Sequence, residues 1–163
     1  MKKLIFTILV LAILPLSSLL SQPAYYTEGF ETTDTGSVPA DWFVKFNGGP
    51  LDETSNWMVR DSGAAMPGLA SATVKAYQSA KSVGVSWWMS DSVTAIADAW
   101  LITKKFASLP VDAIFTFWGS GGSTTYSDSI QILISPNGDT ALSSFQVLQS
   151  IHWPPGSVYG SWS

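Results

Sequence analysis

The sequence of 163 residues contains no cysteine, which excludes a disulfide scaffold and any zinc or iron–sulfur site held by cysteine. Charged residues account for only 12% of the chain, about half of the usual share in globular proteins. A single histidine, His152, is present, so a serine–histidine–aspartate triad would have to use it as the base. The formal net charge of −4 argues against nucleic acid as a partner, because nucleic-acid binding requires a basic face.

Aromatic residues, by contrast, are abundant: they make up 13% of the chain and include eight tryptophans. A chain with few charges and many large rings can bury enough apolar surface to offset the entropy lost on folding. The length corresponds to one domain. We therefore expect a folded, aromatic-rich single domain.

The first residues are typical of a secretory signal peptide. Met1-Lys2-Lys3 is a short basic start, residues 4–20 are almost wholly apolar, and the small residue Ser21 follows. A transmembrane anchor is the alternative, since about 17 apolar residues can just span a bilayer. Pro15 and the small residues after the apolar run favour cleavage. The sequence thus predicts a signal peptide over residues 1–21, a mature domain over residues 22–163, and no membrane span after signal removal.

The mature chain reads as a series of short apolar runs separated by Gly, Pro, Asn, Asp and Ser. This spacing predicts an all-β fold, either a β-sandwich or a jelly roll. The predicted strands are residues 25–31, 42–46, 56–60, 72–78, 83–89, 100–104, 113–118, 129–135 and 145–151. Strand 113–118 is apolar on both faces and is expected to lie centrally. Only residues 92–99 have a helical pattern.

Two connections have their own sequence signals. The Asn137-Gly138 pair favours a tight type I′ turn, which predicts a hairpin between the two flanking strands. The glycine- and serine-rich stretch from Gly119 to Thr125 predicts a flexible loop.

Five short motifs occur in an order that resembles a known family. They are Glu28-Gly29-Phe30-Glu31, Pro39-Ala40-Asp41-Trp42, Trp100-Leu101-Ile102-Thr103, Phe115-Thr116-Phe117-Trp118, and the strand that ends at Ser135. In this order and spacing, the chain resembles the cleaved-adhesin, or choice-of-anchor J, domains of secreted Gram-negative surface proteins. The resemblance covers about residues 26–162. The chain differs from the family at Lys104, where the family usually has proline, and it lacks the family's closing strands.

The resemblance implies a jelly-roll β-sandwich related to MAM-like and carbohydrate-binding modules, here lacking its C-terminal strands. It also implies a non-catalytic adhesion module that sits beside other domains of a longer exported chain. The expected location is therefore outside the cell or on the outer surface of a Gram-negative bacterium. An exposed apolar seam is expected beside the first strand, and the reading frame is expected to continue past Ser163.

Calcium is the metal that the resemblance implies, as a structural ion held by a glutamate of the first strand. Glu31 matches that glutamate by position, and Asp34, Asp41 and Asp98 are further oxygen donors. We assign Glu31, Asp34 and Asp98 as the candidate ligands. The alternative is that these acids are solvated turn residues or caps.

Exposed aromatic side chains are the candidate ligand-binding groups. Trp42, Trp57, Trp100 and Trp118 lie in predicted strands and are expected in the core. Trp88 follows Trp87 in one strand, so the two rings point to opposite faces. Trp153 and Trp162 lie in segments rich in proline, glycine and serine. We assign Trp88, Trp153 and Trp162 to a site for carbohydrate or protein.

The residues offer little for catalysis. His152 lies next to Trp153-Pro154-Pro155, at a strand end followed by a rigid turn, and there is no Gly-x-Ser-x-Gly elbow. Glu28 and Glu31 have an odd spacing, which places them on opposite faces of a strand. The sequence therefore predicts a binding module rather than an enzyme. A fragment of an exported peptidase or glycosidase, and a structural spacer domain, are the alternatives.

Overall fold

A computed structural model describes residues 26–47, 56–66, 69–86, 98–158 and Gly160. Within these residues the regular structure is antiparallel β-strand with one short 3₁₀ helix, which confirms the predicted all-β class. The strands are β1 Phe43–Phe46, β2 Met58–Asp61, β3 Ala65–Met66, β4 Leu69–Thr73, β5 Lys81–Gly84, β6 Ala99–Ile102, β7 Asp128–Ile134 and β8 Gln146–Trp153. The 3₁₀ helix is Leu142–Ser144. The predicted signal peptide, and all but the last two residues of the predicted helical stretch 92–99, lie outside this description.

The strands form four antiparallel pairs: β1 with β6, β2 with β5, β3 with β4, and β7 with β8. In the first pair Phe43 lies opposite Ile102, and in the second Met58 lies opposite Gly84. The β1–β6 and β2–β5 pairs join parts of the chain that are far apart in sequence. β1 therefore brings the Pro39-Ala40-Asp41-Trp42 motif close to the Trp100-Leu101-Ile102-Thr103 motif.

The most buried apolar side chains belong to strands or directly follow them. Val59 in β2 is fully buried, and Val74 and Ile102 are nearly so. The backbone of Val59 also exchanges two hydrogen bonds with the turn before β1: it donates to the Ser37 carbonyl at 2.7 Å and accepts from the Gly36 amide at 2.9 Å. This exchange fixes the turn against the edge of β2.

The predicted hairpin is present, but the predicted tight turn is wrong. β7 and β8 pair from Asp128 opposite Trp153 to Ile134 opposite Gln146, and residues 135–145 connect them. Gly138 has a positive φ of 62°, but Asn137 does not, whereas a type I′ turn needs positive φ at both positions. Side-chain hydrogen bonds build the wider loop instead: the Asp139 amide donates to Ser135 Oγ and the Ala141 amide donates to Asp139 Oδ1.

The predicted first strand, 25–31, is a turn in its described residues, 26–31. The Glu28 carboxylate accepts a hydrogen bond from the Phe30 amide at 2.7 Å, Phe30 has a φ of 64°, and the Thr33 amide donates to the Phe30 carbonyl. Local bonds from a side chain to the backbone compete with strand pairing. The described residues therefore contain no first strand at this position, and the seam expected beside it stays a prediction.

Residues 113–118, predicted as a central strand, pair with no strand among the described residues and lie at the surface. The apolar composition of this segment is the reason for the wrong prediction, because sequence alone equates apolar residues with burial. Five strands, β1, β2, β6, β7 and β8, agree with predicted strands to within about two residues at each end. β4 and β5 each share only two residues with a predicted strand, and β3 was not predicted.

Candidate binding surface

Exposed large apolar side chains are concentrated in residues 109–118, here named the apolar segment. Phe115 is 68% exposed and Trp118 is 55% exposed. The other exposed large apolar residues of the segment are Leu109, Val111, Ile114 and Phe117. A turn begins the segment, with the Ala113 amide donating to the Pro110 carbonyl at 3.1 Å. Folded domains rarely expose many neighbouring apolar side chains, so the apolar segment is the candidate interaction surface.

Ring contacts show that residues 115–117 are extended. Phe115 and Phe117 stack on each other with centroids 5.5 Å apart and an angle of 28° between the rings. Residues two apart lie on the same side of an extended chain but on nearly opposite sides of a helix. Ile114 and Thr116 therefore point away from the two phenylalanines. Residues 114–118 thus alternate as in a β-strand, and no strand of the described part of the chain lies beside them.

Trp118 attaches the end of the apolar segment to the body of the protein. Its indole stacks on the Tyr77 ring, with centroids 4.0 Å apart and an angle of 20° between the rings. Tyr77 follows β4 and is half-buried, while Trp118 keeps more than half of its surface exposed. The pair forms a fixed aromatic platform at the surface, and the prediction that Trp118 lies in the core is wrong.

The glycine-rich stretch after Trp118 is a loop, and it packs closely against Trp153. A Cβ atom at Gly121 would lie 2.7 Å from Cε3 of the Trp153 ring, and one at Gly119 would lie 3.3 Å from Cζ2. Gly122 has a φ of 81°, and its amide donates to Asp128 Oδ2 at 2.5 Å. Glycine is needed here because larger residues would collide with the indole.

Trp153, one of the candidate ligand-binding residues, is half-buried under this glycine stretch at the end of β8. The other two, Trp88 and Trp162, lie outside the described residues. Trp42, Trp57 and Trp100 are half-buried and belong to the body of the protein. The Trp57 indole donates to the Ala99 carbonyl at 3.0 Å, and Trp100 packs edge-on against Phe145.

His152 lies within β8 and not in the turn that follows it. Its Nδ1 lies 2.8 Å from Ser129 Oγ on the opposing strand, and both residues are exposed. In a catalytic triad the serine contacts Nε2, and Nδ1 is directed to a carboxylate. Here Nδ1 is the atom beside the serine, so the pair does not have the geometry of a triad.

A shallow cleft of about 550 Å³ is lined in part by Tyr26, Glu28 and Lys104. The Tyr26 hydroxyl donates to Glu28 Oε2 at 2.7 Å, and Lys104 Nζ lies 3.9 Å from the centre of the Tyr26 ring. Burial and the hydrogen bond to Glu28 raise the pKa of Tyr26 above its ordinary value of 10.0, while the nearby Trp42 indole acts in the opposite direction. Lys104, which stands where the family that the chain resembles usually has proline, therefore stabilises the Tyr26 ring through a cation–π contact.

The candidate calcium ligands do not converge. The exposed Glu31 carboxylate accepts a hydrogen bond from the Ala80 amide at 2.9 Å, and Asp34 lies exposed in the turn before β1. Both carboxylate oxygens of Asp98 accept N–H groups, from Trp100 Nε1 at 2.6 Å and from Asn47 Nδ2 at 2.8 Å. Among the described residues no group of three or more acids or histidines is placed to hold a metal ion. Glu31, Asp34 and Asp98 are therefore not gathered into one such group, and a structural calcium ion stays a prediction.

The described residues contain no helix that is long and apolar enough to cross a bilayer. Comparison of the chain with models of protein families, with curated proteins and with solved structures finds no match.

Proposed function

We propose that this chain is a non-catalytic binding module of an exported bacterial surface protein, and that it attaches to carbohydrate or protein through exposed aromatic side chains. The observation that carries the proposal is the exposed apolar segment with the Tyr77–Trp118 platform at its end. Rings of this kind stack on sugar faces and anchor protein contacts, because they offer a large apolar area with few rotatable bonds.

The finer fold and the location are part of the same proposal. The four strand pairs are the local units from which a jelly roll is built, and the resemblance to cleaved-adhesin domains supplies that arrangement. The predicted signal peptide over residues 1–21 supports export, and the low charge and lack of cysteine suit a bacterial envelope or extracellular setting. Neighbouring domains of a longer chain would then present the module.

Binding of the full chain to glycan and peptide arrays tests the proposal. We expect selective binding that Trp118→Ala weakens about tenfold or more, as is usual for a central aromatic anchor. Tyr126→Ala is the matched control, because Tyr126 is an aromatic residue that is 75% exposed but lies outside the apolar segment. Equal effects of the two substitutions would argue against the segment as the binding surface.

The alternative to a binding module is an enzyme, namely a hydrolase. The Ser129–His152 contact is the observation relevant to that alternative. Turnover of a peptide or glycoside substrate that disappears in His152→Ala would overturn the proposal of a non-catalytic module. Absence of both binding and turnover would instead favour a structural spacer.

A further inference from the structure

The sequence contains two asparagine–glycine pairs, Asn47-Gly48 and Asn137-Gly138. Asparagine is one of the chemically labile residues, and a glycine after it has no side chain to obstruct attack by its own backbone nitrogen. That nitrogen loses its proton to solvent and bonds to the side-chain carbonyl carbon of the asparagine. The amide nitrogen of the side chain leaves as ammonia, and a succinimide ring remains. Water then opens the ring at either carbonyl carbon, which gives aspartate or isoaspartate.

Asn137 is exposed and lies in a turn at the end of β7. The Gly138 amide donates to the Ser135 carbonyl at 3.0 Å, Pro136 is the second residue of the turn, and Asn137, the third, does not have a positive φ. These features define a type I turn, in which the ψ of the third residue lies near 0°.

The geometry of this turn opposes ring closure at Asn137. In the succinimide, the glycine nitrogen is nearly eclipsed with Cβ of the asparagine when viewed along the Cα–C bond. With ψ near 0°, tetrahedral geometry at Cα rotates the nitrogen roughly 120° away from Cβ. The hydrogen bond to the Ser135 carbonyl also holds the proton that the Gly138 nitrogen must lose. The turn therefore has to open before the ring can form.

Neighbouring side chains stabilise the closed turn. The Asp139 amide donates to Ser135 Oγ at 3.0 Å, and Ser135 Oγ lies 3.2 Å from Ser144 Oγ. The Lys105 side chain packs against Gly138, where a Cβ atom would lie 2.5 Å from Lys105 Cε. Opening the turn breaks these contacts together, so the open form is a minor population of the folded chain.

We propose that Asn137 is a site of spontaneous deamidation, that the folded loop slows the reaction, and that conversion to isoaspartate then prevents the loop from re-forming. Isoaspartate carries the backbone through its side chain and lengthens it by one carbon. Gly138 is then displaced from both the Ser135 carbonyl and Lys105. This inference does not depend on the proposed binding function.

Incubation of the full chain at mildly alkaline pH, folded and in guanidinium chloride, tests the first part. Mass spectrometry of the digested chain follows the reaction, because both products are about 1 Da heavier than asparagine. In the unfolded chain we expect Asn137 and Asn47 to convert at similar rates, since both precede glycine. In the folded chain we expect Asn137 to convert at least about tenfold more slowly than in the unfolded chain. Equal rates for Asn137 in the two states would overturn the proposal.

Ser135→Ala tests whether the loop controls the rate, with Ser129→Ala as the matched control. Ser135 Oγ accepts from the Asp139 amide, whereas Ser129 lies at the other end of β7 and its Oγ contacts His152. In the folded chain we expect Ser135→Ala to speed conversion of Asn137 about fivefold, as for the loss of one hydrogen bond, and Ser129→Ala to leave it unchanged. Equal rates for the two folded variants would overturn control by the loop.

Chains enriched in isoaspartate at position 137 test the second part, and Asn137→Asp is the control. The substitution introduces the same carboxylate without lengthening the backbone. We expect the isoaspartate chains to unfold at a lower guanidinium chloride concentration than Asn137→Asp, because only they lose the hydrogen bond from Gly138 to Ser135. Coincident unfolding curves would overturn the proposed effect on the loop.

Discussion

The indole of Trp118 lies parallel to the ring of Tyr77, 4.0 Å away between centroids, and this contact joins the apolar segment to the chain that follows β4. The two residues are 41 positions apart in sequence, since 118 − 77 = 41, so the contact is tertiary. The exposed Tyr77–Trp118 platform is therefore formed by a tertiary contact of the fold.

A double-mutant cycle of Tyr77→Ala and Trp118→Ala measures this contact. Aromatic pairs contribute about 0.5–1.5 kcal/mol beyond the area that they bury. We expect each substitution to lower the free energy of unfolding and the pair to be coupled by about 1 kcal/mol. Strictly additive losses in urea denaturation would show that the stacking contributes nothing to stability.

Gly121→Ala is expected to destabilise the fold. The new Cβ atom would lie 2.7 Å from Cε3 of Trp153, and the indole is too rigid to move without disturbing β8. Overpacking of this kind costs about 1–3 kcal/mol. Gly84→Ala is the matched control, because its Cβ meets nothing within 4 Å. Thermal unfolding of both variants checks the expectation, and a similar melting temperature for the two would contradict the close packing.

Tyr26 is expected to make stability depend on alkaline pH. Because burial and Glu28 raise its pKa in the folded state above 10.0, the folded protein holds the phenolic proton more tightly than the unfolded chain. This contribution is complete below pH 10.0 and is lost as the pH rises through the folded-state pKa. Chemical denaturation from pH 8 upward should show a steeper loss for the native protein than for Tyr26→Phe, and parallel curves would contradict it.

Glu31 is expected to act through its hydrogen bond to the Ala80 amide. Glu31→Ala should lower the free energy of unfolding by about 1 kcal/mol, while Glu31→Gln, which keeps an oxygen acceptor, should lose less. Unfolding curves with and without a calcium chelator separate this role from metal binding. A melting temperature that falls with chelator in the native protein, but not in Glu31→Gln, would support Glu31 as a calcium ligand and contradict a purely structural role.

Strand positions followed from the sequence because alternation and turn residues are local properties. β7 is the clearest case: Ile130 and Ile132 alternate with polar residues, and the strand spans Asp128–Ile134. Partner choice is not local, so nothing in β1 identified β6 as its neighbour.

The failures have two physical causes. Side-chain hydrogen bonds redirected the backbone at Glu28 and Asp139, where polar residues satisfy nearby amides. Aromatic content was taken as burial at Phe115 and Trp118, although Phe115 stacks on Phe117 and Trp118 stacks on Tyr77 at the surface. The sequence did contain a signal for the close approach of Gly121 to Trp153. A run of glycines precedes β7, and β8, the strand that pairs with β7, ends in tryptophan.

The pairing of the strands also sets an order in which the chain can fold. β7 and β8 are joined by residues 135–145, so their hairpin closes a short loop. Pairing of β1 with β6 requires closure of the loop between Phe46 and Ala99. This loop is longer, and closing a longer loop costs more entropy. Contacts between residues distant in sequence slow folding. We therefore expect the β7–β8 hairpin to form early and the β1–β6 pair to limit the folding rate.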